Sequence, residues 1–241
     1  MNGEDRGKER PLYRMFNAVP PKYDLVNRVF TWGLDERWRR KTARICLETR
    51  PERTMDLCCG TGDLAVWLGR FAEPSTQVLG LDYAGPMLER AVEKARRLAL
   101  GTPLSFIQGD VADLPFTDGY FDCIGISFAF RNLTYKNPMT GRYLAEVVRV
   151  LKPGGKFVIV ESSQPPNRLV RNVFHSYTRW FVFGAGYWIT KNRPAYRYLS
   201  ESMRRFYTAG ELSDLLARNG FKKVRVIRML LGAAAIHTAV K

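Results

Sequence analysis

Thr54-Met-Asp-Leu-Cys-Cys-Gly-Thr-Gly-Asp-Leu-Ala65 runs from an apolar, extended segment into two glycines and then into residues that suit a helix. The order predicts a buried strand, a glycine hinge and a helix N-terminus, which together turn bare backbone and oriented N–H groups towards a ligand. Gly60 and Gly62 omit the Cβ atoms that would block close approach, and Asp56 and Asp63 put carboxylates on either side of the turn. The adjacent Cys58 and Cys59 are expected on opposite faces of the strand.

Gly60-Thr61-Gly62-Asp63-Leu64-Ala65 satisfies the G-x-G-x-x-A pattern, and Asp82 lies 22 residues beyond Gly60, close to the spacing of a ribose-binding acid. An adenine dinucleotide and S-adenosylmethionine both fit this loop. Downstream, strand and helix alternate. Gln77–Asp82 is an apolar run that ends in an acid, Pro86 suits a first helical turn, and residues 87–98 form a helix with Glu93 and Arg97 in the favourable i,i+4 order. Leu104–Gln108 gives a third strand before Gly109-Asp110, and Phe121–Ser127 gives a fourth. A helix over 142–151, a stop at Pro153-Gly154-Gly155 and a strand over 156–161 follow.

Repeated strand–helix units imply a doubly wound sheet. Thr208 and Glu211 form a capping box opening a helix that ends at Asn219-Gly220, and strands over 223–229 and 234–240 close an antiparallel hairpin. A terminal antiparallel strand counts against a dinucleotide-binding fold. The expected architecture is therefore α/β: a doubly wound, mainly parallel seven-stranded sheet with helices on both faces, a terminal antiparallel hairpin, an N-terminal helical segment and a helical insertion after strand five.

The 241 residues carry a formal net charge of +15, and residues 162–206 hold eight Lys or Arg against the single acid Glu201. Ten aromatics interleave with those cations, and 180–190 is an uncharged run between Arg179 and Lys191. That run is far short of the roughly 20 apolar residues that span a bilayer. It suits an anionic membrane surface, and equally a site that stacks bases and pairs phosphates. Residues 1–14 are polar and charged, with no secretory h-region. The four cysteines have no zinc-site spacing and read as reduced core residues of a cytosolic protein, with no metal expected.

Asp56 to Gly62, Asp82, Asp110 and Ser127 fall at four successive strand ends, where ligands of such sheets bind. An acid after strand two can take both ribose hydroxyls, and one after strand three can accept from an adenine amine. Asp63 is placed to offset a sulfonium charge. Asp56-Leu-Cys-Cys-Gly-Thr-Gly-Asp63, Leu81-Asp82, Gly109-Asp110, Leu114-Pro-Phe116 and Leu151-Lys-Pro-Gly-Gly155 resemble a class I S-adenosylmethionine-dependent methyltransferase. Lys22-Tyr-Asp-Leu-Val-Asn27, Trp38-Arg39, Ile126-Ser-Phe-Ala-Phe-Arg-Asn132 and Tyr196-Arg-Tyr-Leu-Ser-Glu-Ser202 are similar to the ubiquinone/menaquinone biosynthesis C-methyltransferase family, over residues 13–241.

That resemblance implies S-adenosylmethionine as cofactor, S-adenosylhomocysteine as product, and Thr61, Asp82, Asp110, Val111 and Ser127 as cofactor contacts, beside Asp56, Gly60 and Gly62 of the loop. It implies as acceptor the ring of a polyprenylated quinol: demethylmenaquinol, a ubiquinol-precursor benzoquinol, or both. One methyltransferase domain is expected over 1–241, divided into an N-terminal segment (1–50), a cofactor core (51–162), a basic aromatic insertion (163–208) and a closing helix and hairpin (209–241). Departures fall on the substrate side: Phe128-Ala-Phe-Arg-Asn132 replaces the family's Phe-Gly-Leu-Arg-Asn, and Glu161-Ser-Ser-Gln-Pro165 its Glu-Phe-Ser-Lys-Pro.

Methyl transfer to a ring carbon asks mainly for positioning and for an electron-rich ring, so the reduced quinol is the expected substrate. Arg131 is expected to stabilise its phenolate, Asn132 to orient the hydroxyl, and Tyr23 with Asp24 to close over the site. A structural ion pair is the alternative for Arg131. Neither His175 nor His237 is given a catalytic role, and no general base is identified. Expected partners are the lipophilic quinol and an anionic membrane surface, not nucleic acid, with a homo-oligomer left open; the expected location is cytoplasmic, peripheral to the inner face of the membrane. An RNA methyltransferase lacks support beyond charge, because Ser127-Phe-Ala-Phe-Arg-Asn132 stands where an Asn/Asp-Pro-Pro-aromatic segment is wanted. A nonenzymatic quinone carrier conflicts with intact Gly60, Gly62, Asp82 and Asp110.

Overall fold

The computed structural model describes residues 28–98, 101–182, 184 and 193–241. Its sheet comprises β1 (Arg53–Leu57), β2 (Gln77–Asp82), β3 (Leu104–Gln108), β4 (Phe121–Ser127), β5 (Leu151–Ser162), β6 (Lys222–Met229) and β7 (Ala234–Val240), in the order β3-β2-β1-β4-β5-β7-β6. The first five strands are parallel, and β7 inserts antiparallel between β5 and β6. The order reverses between β1 and β4, so the loops leaving these two strands diverge and open a crevice at their carboxyl ends.

Helices cover both faces because each inner strand is apolar on both sides. On one face Met55, Leu57, Ile124, Ile126 and Phe157 pack with Leu144 and Val147 of α5 (Thr140–Val150) and Leu212 and Leu216 of α8 (Ala209–Arg218). On the other, Val78, Cys123, Val158, Val160 and Ile236 meet Ala43 and Cys46 of α1 (Leu34–Leu47) and Leu64 and Leu68 of α2 (Asp63–Phe71). Between β2 and β3 runs α3 (Gly85–Leu98), and α4 (Phe130–Thr134) follows β4. After β5 come α6 (Arg168–Tyr177), a π turn (Thr178–Val182) and α7 (Arg193–Arg204), the expected helical insertion. It has its own small core of Phe30, Val182 and Tyr196.

The capping box at Thr208 is present in both directions: the hydroxyl accepts from Glu211 N–H and the Glu211 carboxylate accepts from Thr208 N–H, a motif worth about 1 kcal/mol. Two local expectations need correction. β1 stops at Leu57, and Cys58 turns at φ +55°, so the cysteine pair lies in the loop and not on opposite strand faces. Pro153-Gly154-Gly155 does not interrupt the chain before β5. Leu151 already pairs with Phe121 and Lys156 with Cys123, so the intervening residues form a bulge that Gly154 permits at φ +79°.

Candidate active site

The crevice holds two cavities of unlike chemistry. The first, about 720 Å³, lies at the ends of β1, β2 and β3 and is lined by Cys58, Gly60, Asp82, Asp110, Val111 and Met87, then by Tyr135, Asn137, Tyr143 and Tyr198. Gly60 turns at φ +54°, and a Cβ built on it meets nothing within 4 Å, so it faces open space. Gly62, at φ +81°, is needed for another reason: a Cβ there lies 3.0 Å from Ala91 Cβ and 3.2 Å from the Phe106 ring. Gly60 thus opens onto the cavity, whereas Gly62 serves loop packing.

Asp82 is tied to the loop it faces. Its Oδ2 accepts from Gly60 N–H at 2.8 Å and its Oδ1 from Ala84 N–H at 2.9 Å. Burial pushes its carboxyl above the usual range, against the pull of those N–H groups. Asp110 accepts from Ala112 N–H at 2.9 Å, which fixes the turn after β3, and Val111 packs beside it at 5 % exposure.

Other expected cofactor residues lie outside this wall. Asp56 is fully buried, accepting from Ala65 N–H at 2.8 Å through Oδ2 while Oδ1 finds no partner among the described residues. Burial raises its pKa to about 8, so the carboxyl is largely protonated at neutral pH. Asp56 thus pins the first turn of α2 from behind and does not line the cavity. Thr61 is buried and accepts from Lys94 Nζ at 3.2 Å. Ser127 Oγ accepts from Arg39 Nε at 3.3 Å. The Asp63 carboxylate, although burial opposes its charge, is held below its usual pKa by Arg39, 3.6 Å away, and Lys94, 2.5 Å away. With two protein cations already against it, Asp63 is no free counter-ion.

The second cavity, about 440 Å³, is walled almost wholly by apolar and aromatic groups of α1 and the residues before it, the β4–α4 turn, α6, α7 and the β6–β7 turn, among them Phe30, Trp38, Phe128, Phe174, Tyr177 and Tyr196. Its charged members are Asp35, Arg39 and Arg131. Arg39 is locked by Asp35 at 2.5 Å and lies 5.1 Å over the Phe128 ring. Arg131 is 5 % exposed; its Nη1 donates to Glu161 Oε1 at 2.6 Å and to Ser162 Oγ at 3.0 Å, and its Nε is buried with no partner among the described residues. The ion pair anticipated as an alternative for Arg131 therefore exists, on a residue that also lines the cavity.

Asn132 and Tyr198 line both cavities, so the sequence's expectation for Asn132 falls at their junction. Tyr198 was not singled out; only its place in the Tyr196–Ser202 segment could have signalled it. Nothing local announces the link from Arg39 to Ser127 or that from Glu161 to Arg131, which join residues 88 and 30 positions apart. Tyr23 and Asp24 lie outside the described residues. No group of three or more His, Cys, Asp or Glu able to hold a metal occurs among the described residues, and no helix among them is long and apolar enough to cross a membrane.

Among solved structures, the chain resembles a SAM-dependent methyltransferase from Aquifex aeolicus, with TM-score 0.56 and 20% identity over 78% of this chain and 81% of that one. It also resembles the [4+2]-cyclase SpnF, with TM-score 0.68 and 17% identity over 95% of each chain; at these identities the likeness concerns the fold. Curated relatives are nearer in sequence. The demethylmenaquinone methyltransferase of Thermus thermophilus is 41% identical over 92% of this chain and 98% of its own length. That of Lactobacillus johnsonii is 37% identical over 97% and 93%. The ubiquinone/menaquinone biosynthesis C-methyltransferase UbiE of Pseudomonas putida is 34% identical over 97% and 90%. With a family model matching residues 4–241 on top of this fold and paired-cavity site, the chain belongs to the ubiE/COQ5 methyltransferase family.

Proposed function

We propose that this protein transfers a methyl group from S-adenosylmethionine to a ring carbon of a polyprenylated quinol, with demethylmenaquinol as first candidate and a ubiquinol-precursor benzoquinol as second. The observation that carries the reading is the meeting of a carboxylate-bearing cavity and an aromatic, apolar cavity at Asn132 and Tyr198. A hydrophilic donor and a lipophilic acceptor would be brought together there. An aromatic cavity favours a lipophilic ring over RNA.

The cofactor half fits S-adenosylmethionine: Gly60 presents bare backbone, Asp82 would take the ribose hydroxyls, and Asp110 with Val111 would hold the adenine. When bound, the cofactor supplies an electrophilic methyl group on a sulfonium. The protein's part is to hold an electron-rich carbon in line with it. Arg131, fixed by Glu161 and Ser162, would stabilise the quinol oxygen as its proton passes to water, which pushes electron density onto the neighbouring ring carbon. After the methyl transfers, that carbon gives up its own hydrogen as a proton to water and the ring regains aromaticity. Asn132 and Tyr198 would orient that hydroxyl, and burial raises the Tyr198 pKa, keeping its O–H a donor. The apolar walls exclude water and receive the ring and the start of its tail.

A peripheral position on an anionic membrane surface agrees with the basic, aromatic insertion and with a water-insoluble acceptor. The quinone composition of cells lacking the protein tests the reading. Accumulation of one demethylated quinone is expected, and an unchanged quinone profile would refute it.

A further inference from the structure

The turn joining β6 to β7 combines two features that a folded protein ordinarily avoids. Leu230 and Leu231 both adopt left-handed backbone, at φ +45° and +54°, a region that suits glycine or asparagine. Both side chains are also largely exposed, at 55% and 75%, so little internal packing offsets the strain. Gly232 follows at φ +94°, lying so close to the chain before α6 that a Cβ would stand 2.7 Å from Pro166 Cδ. That contact seats the turn against the insertion and holds the leucine pair outwards.

These leucines edge the mouth of the apolar cavity, together with Trp32 at 76% exposure and Val173 at 69%. Leu169, one helical turn before Val173 and 76% exposed, extends the strip along α6, a helix with no buried residue. Exposed Arg168 adjoins Leu169 in the sequence at the start of α6, exposed Arg179 follows α6 and lies over the Trp180 ring at 5.4 Å, and exposed Arg228 precedes the leucine turn by two residues. An apolar rim with guanidinium groups at its border matches the interface of an anionic bilayer, where hydrocarbon lies beneath phosphate.

We infer that the Leu230–Leu231 turn, with Trp32 and Val173, is a wedge that inserts into an anionic lipid surface and opens the apolar cavity directly to the bilayer. The inference rests on the proposed function for the reason a cavity should open there: a polyprenyl tail can stay in lipid while its ring enters between Trp32 and Leu231. The lipid would repay the backbone strain by covering the two side chains.

Vesicle flotation of the full chain tests it, using phosphatidylcholine alone and phosphatidylcholine mixed with phosphatidylglycerol. Asparagine tolerates positive φ, so Leu230→Asn with Leu231→Asn removes the apolar wedge while suiting the turn. Calorimetric titration with S-adenosylhomocysteine verifies that the variant is folded. The wild type should float with the mixed vesicles, the asparagine pair should bind about tenfold more weakly or worse, and Arg168→Gln with Arg179→Gln should lessen the preference for phosphatidylglycerol. Flotation equal in wild type and asparagine variant would overturn the inference, as would no flotation, including a wild type that instead self-associates through this rim. Methylation of a tail-less demethylquinol in buffer is a separate readout: if it proceeds while flotation fails, the wedge falls and the proposed function stands.

Discussion

Tyr198 donates a hydrogen bond to Oδ1 of Asn132 across 3.4 Å, and each of the two side chains borders both the carboxylate-lined cavity and the aromatic one. The Tyr135 ring, which lines the carboxylate-bearing cavity, stands edge-on to the Tyr198 ring with centroids 6.4 Å apart. A residue shared in this way controls alignment more than affinity. Tyr198→Phe should lower kcat/KM by about 1–2 kcal/mol of transition-state stabilisation, roughly tenfold, and leave the S-adenosylhomocysteine affinity near wild type. Steady-state kinetics and calorimetry on the same preparation check it; equal loss in both would make the tyrosine a structural prop.

Arg131 and Glu161 form a buried pair, with Glu161 also accepting from Arg131 N–H and Ser162 N–H. Removing either partner leaves the other buried and unpaired, so Arg131→Ala and Glu161→Ala should each cost about 3–5 kcal/mol of stability. Removing both should recover part of that stability. Activity should not recover with it, because the cation proposed to stabilise the quinol oxygen would still be missing. A double variant that regains turnover together with its melting temperature would place Arg131 in the scaffold alone.

The two loop glycines should fail differently. Both substitutions to alanine incur the left-handed penalty of about 1–2 kcal/mol. In Gly62→Ala the new methyl also meets Ala91 and Phe106, so the melting temperature should drop further. In Gly60→Ala it enters the cavity, so cofactor affinity should fall more than stability. Thermal unfolding with and without S-adenosylhomocysteine separates them, and the same pattern for both would contradict the division of labour.

Asp56 gives a pH dependence of defined sign. Its carboxyl is raised by burial to about 8, against an ordinary value of 3.8, so between those values the folded state binds a proton that the unfolded state has lost. Stability contributed by this group therefore falls as pH rises through that window, by up to about 1.4 kcal/mol per pH unit. Asp56→Asn keeps an oxygen for Ala65 N–H and cannot ionise. Its advantage over the wild type should grow from pH 5 to about 8 and then level off, as read by unfolding at fixed ionic strength. Parallel pH profiles would refute the buried, protonated state.

Local pattern carried much of this fold. Gln77–Asp82, Leu104–Gln108, Phe121–Ser127 and Ala234–Val240 have the bounds their apolar runs predicted, since each run ends at an acid, a glycine or a change of hydrophobic period. Thr208 and Glu211 are likewise legible, because a capping box is complete within four residues. What escaped depends on contacts between distant segments. Asp56 and Asp82 look equivalent as acids at strand ends, and only the packed structure turns one inwards and the other to the cavity. The bulge at 152–155 is set by the pairing of Phe121 with Leu151, which no feature within those residues announces. Arg131 gained Glu161, and Asn132 gained Tyr198, from strands and helices folded back across the site.

Mass spectrometry of quinones recovered from purified protein, S-adenosylmethionine and demethylmenaquinol kept reduced by dithionite, beside the same reaction with oxidised demethylmenaquinone, bears on the whole reading at once. A product heavier by one methylene should form from the reduced ring and not from the oxidised one. Equal methylation of the oxidised ring, or none from the reduced ring while another acceptor is methylated, would contradict electron-rich quinol methylation at the junction of the two cavities.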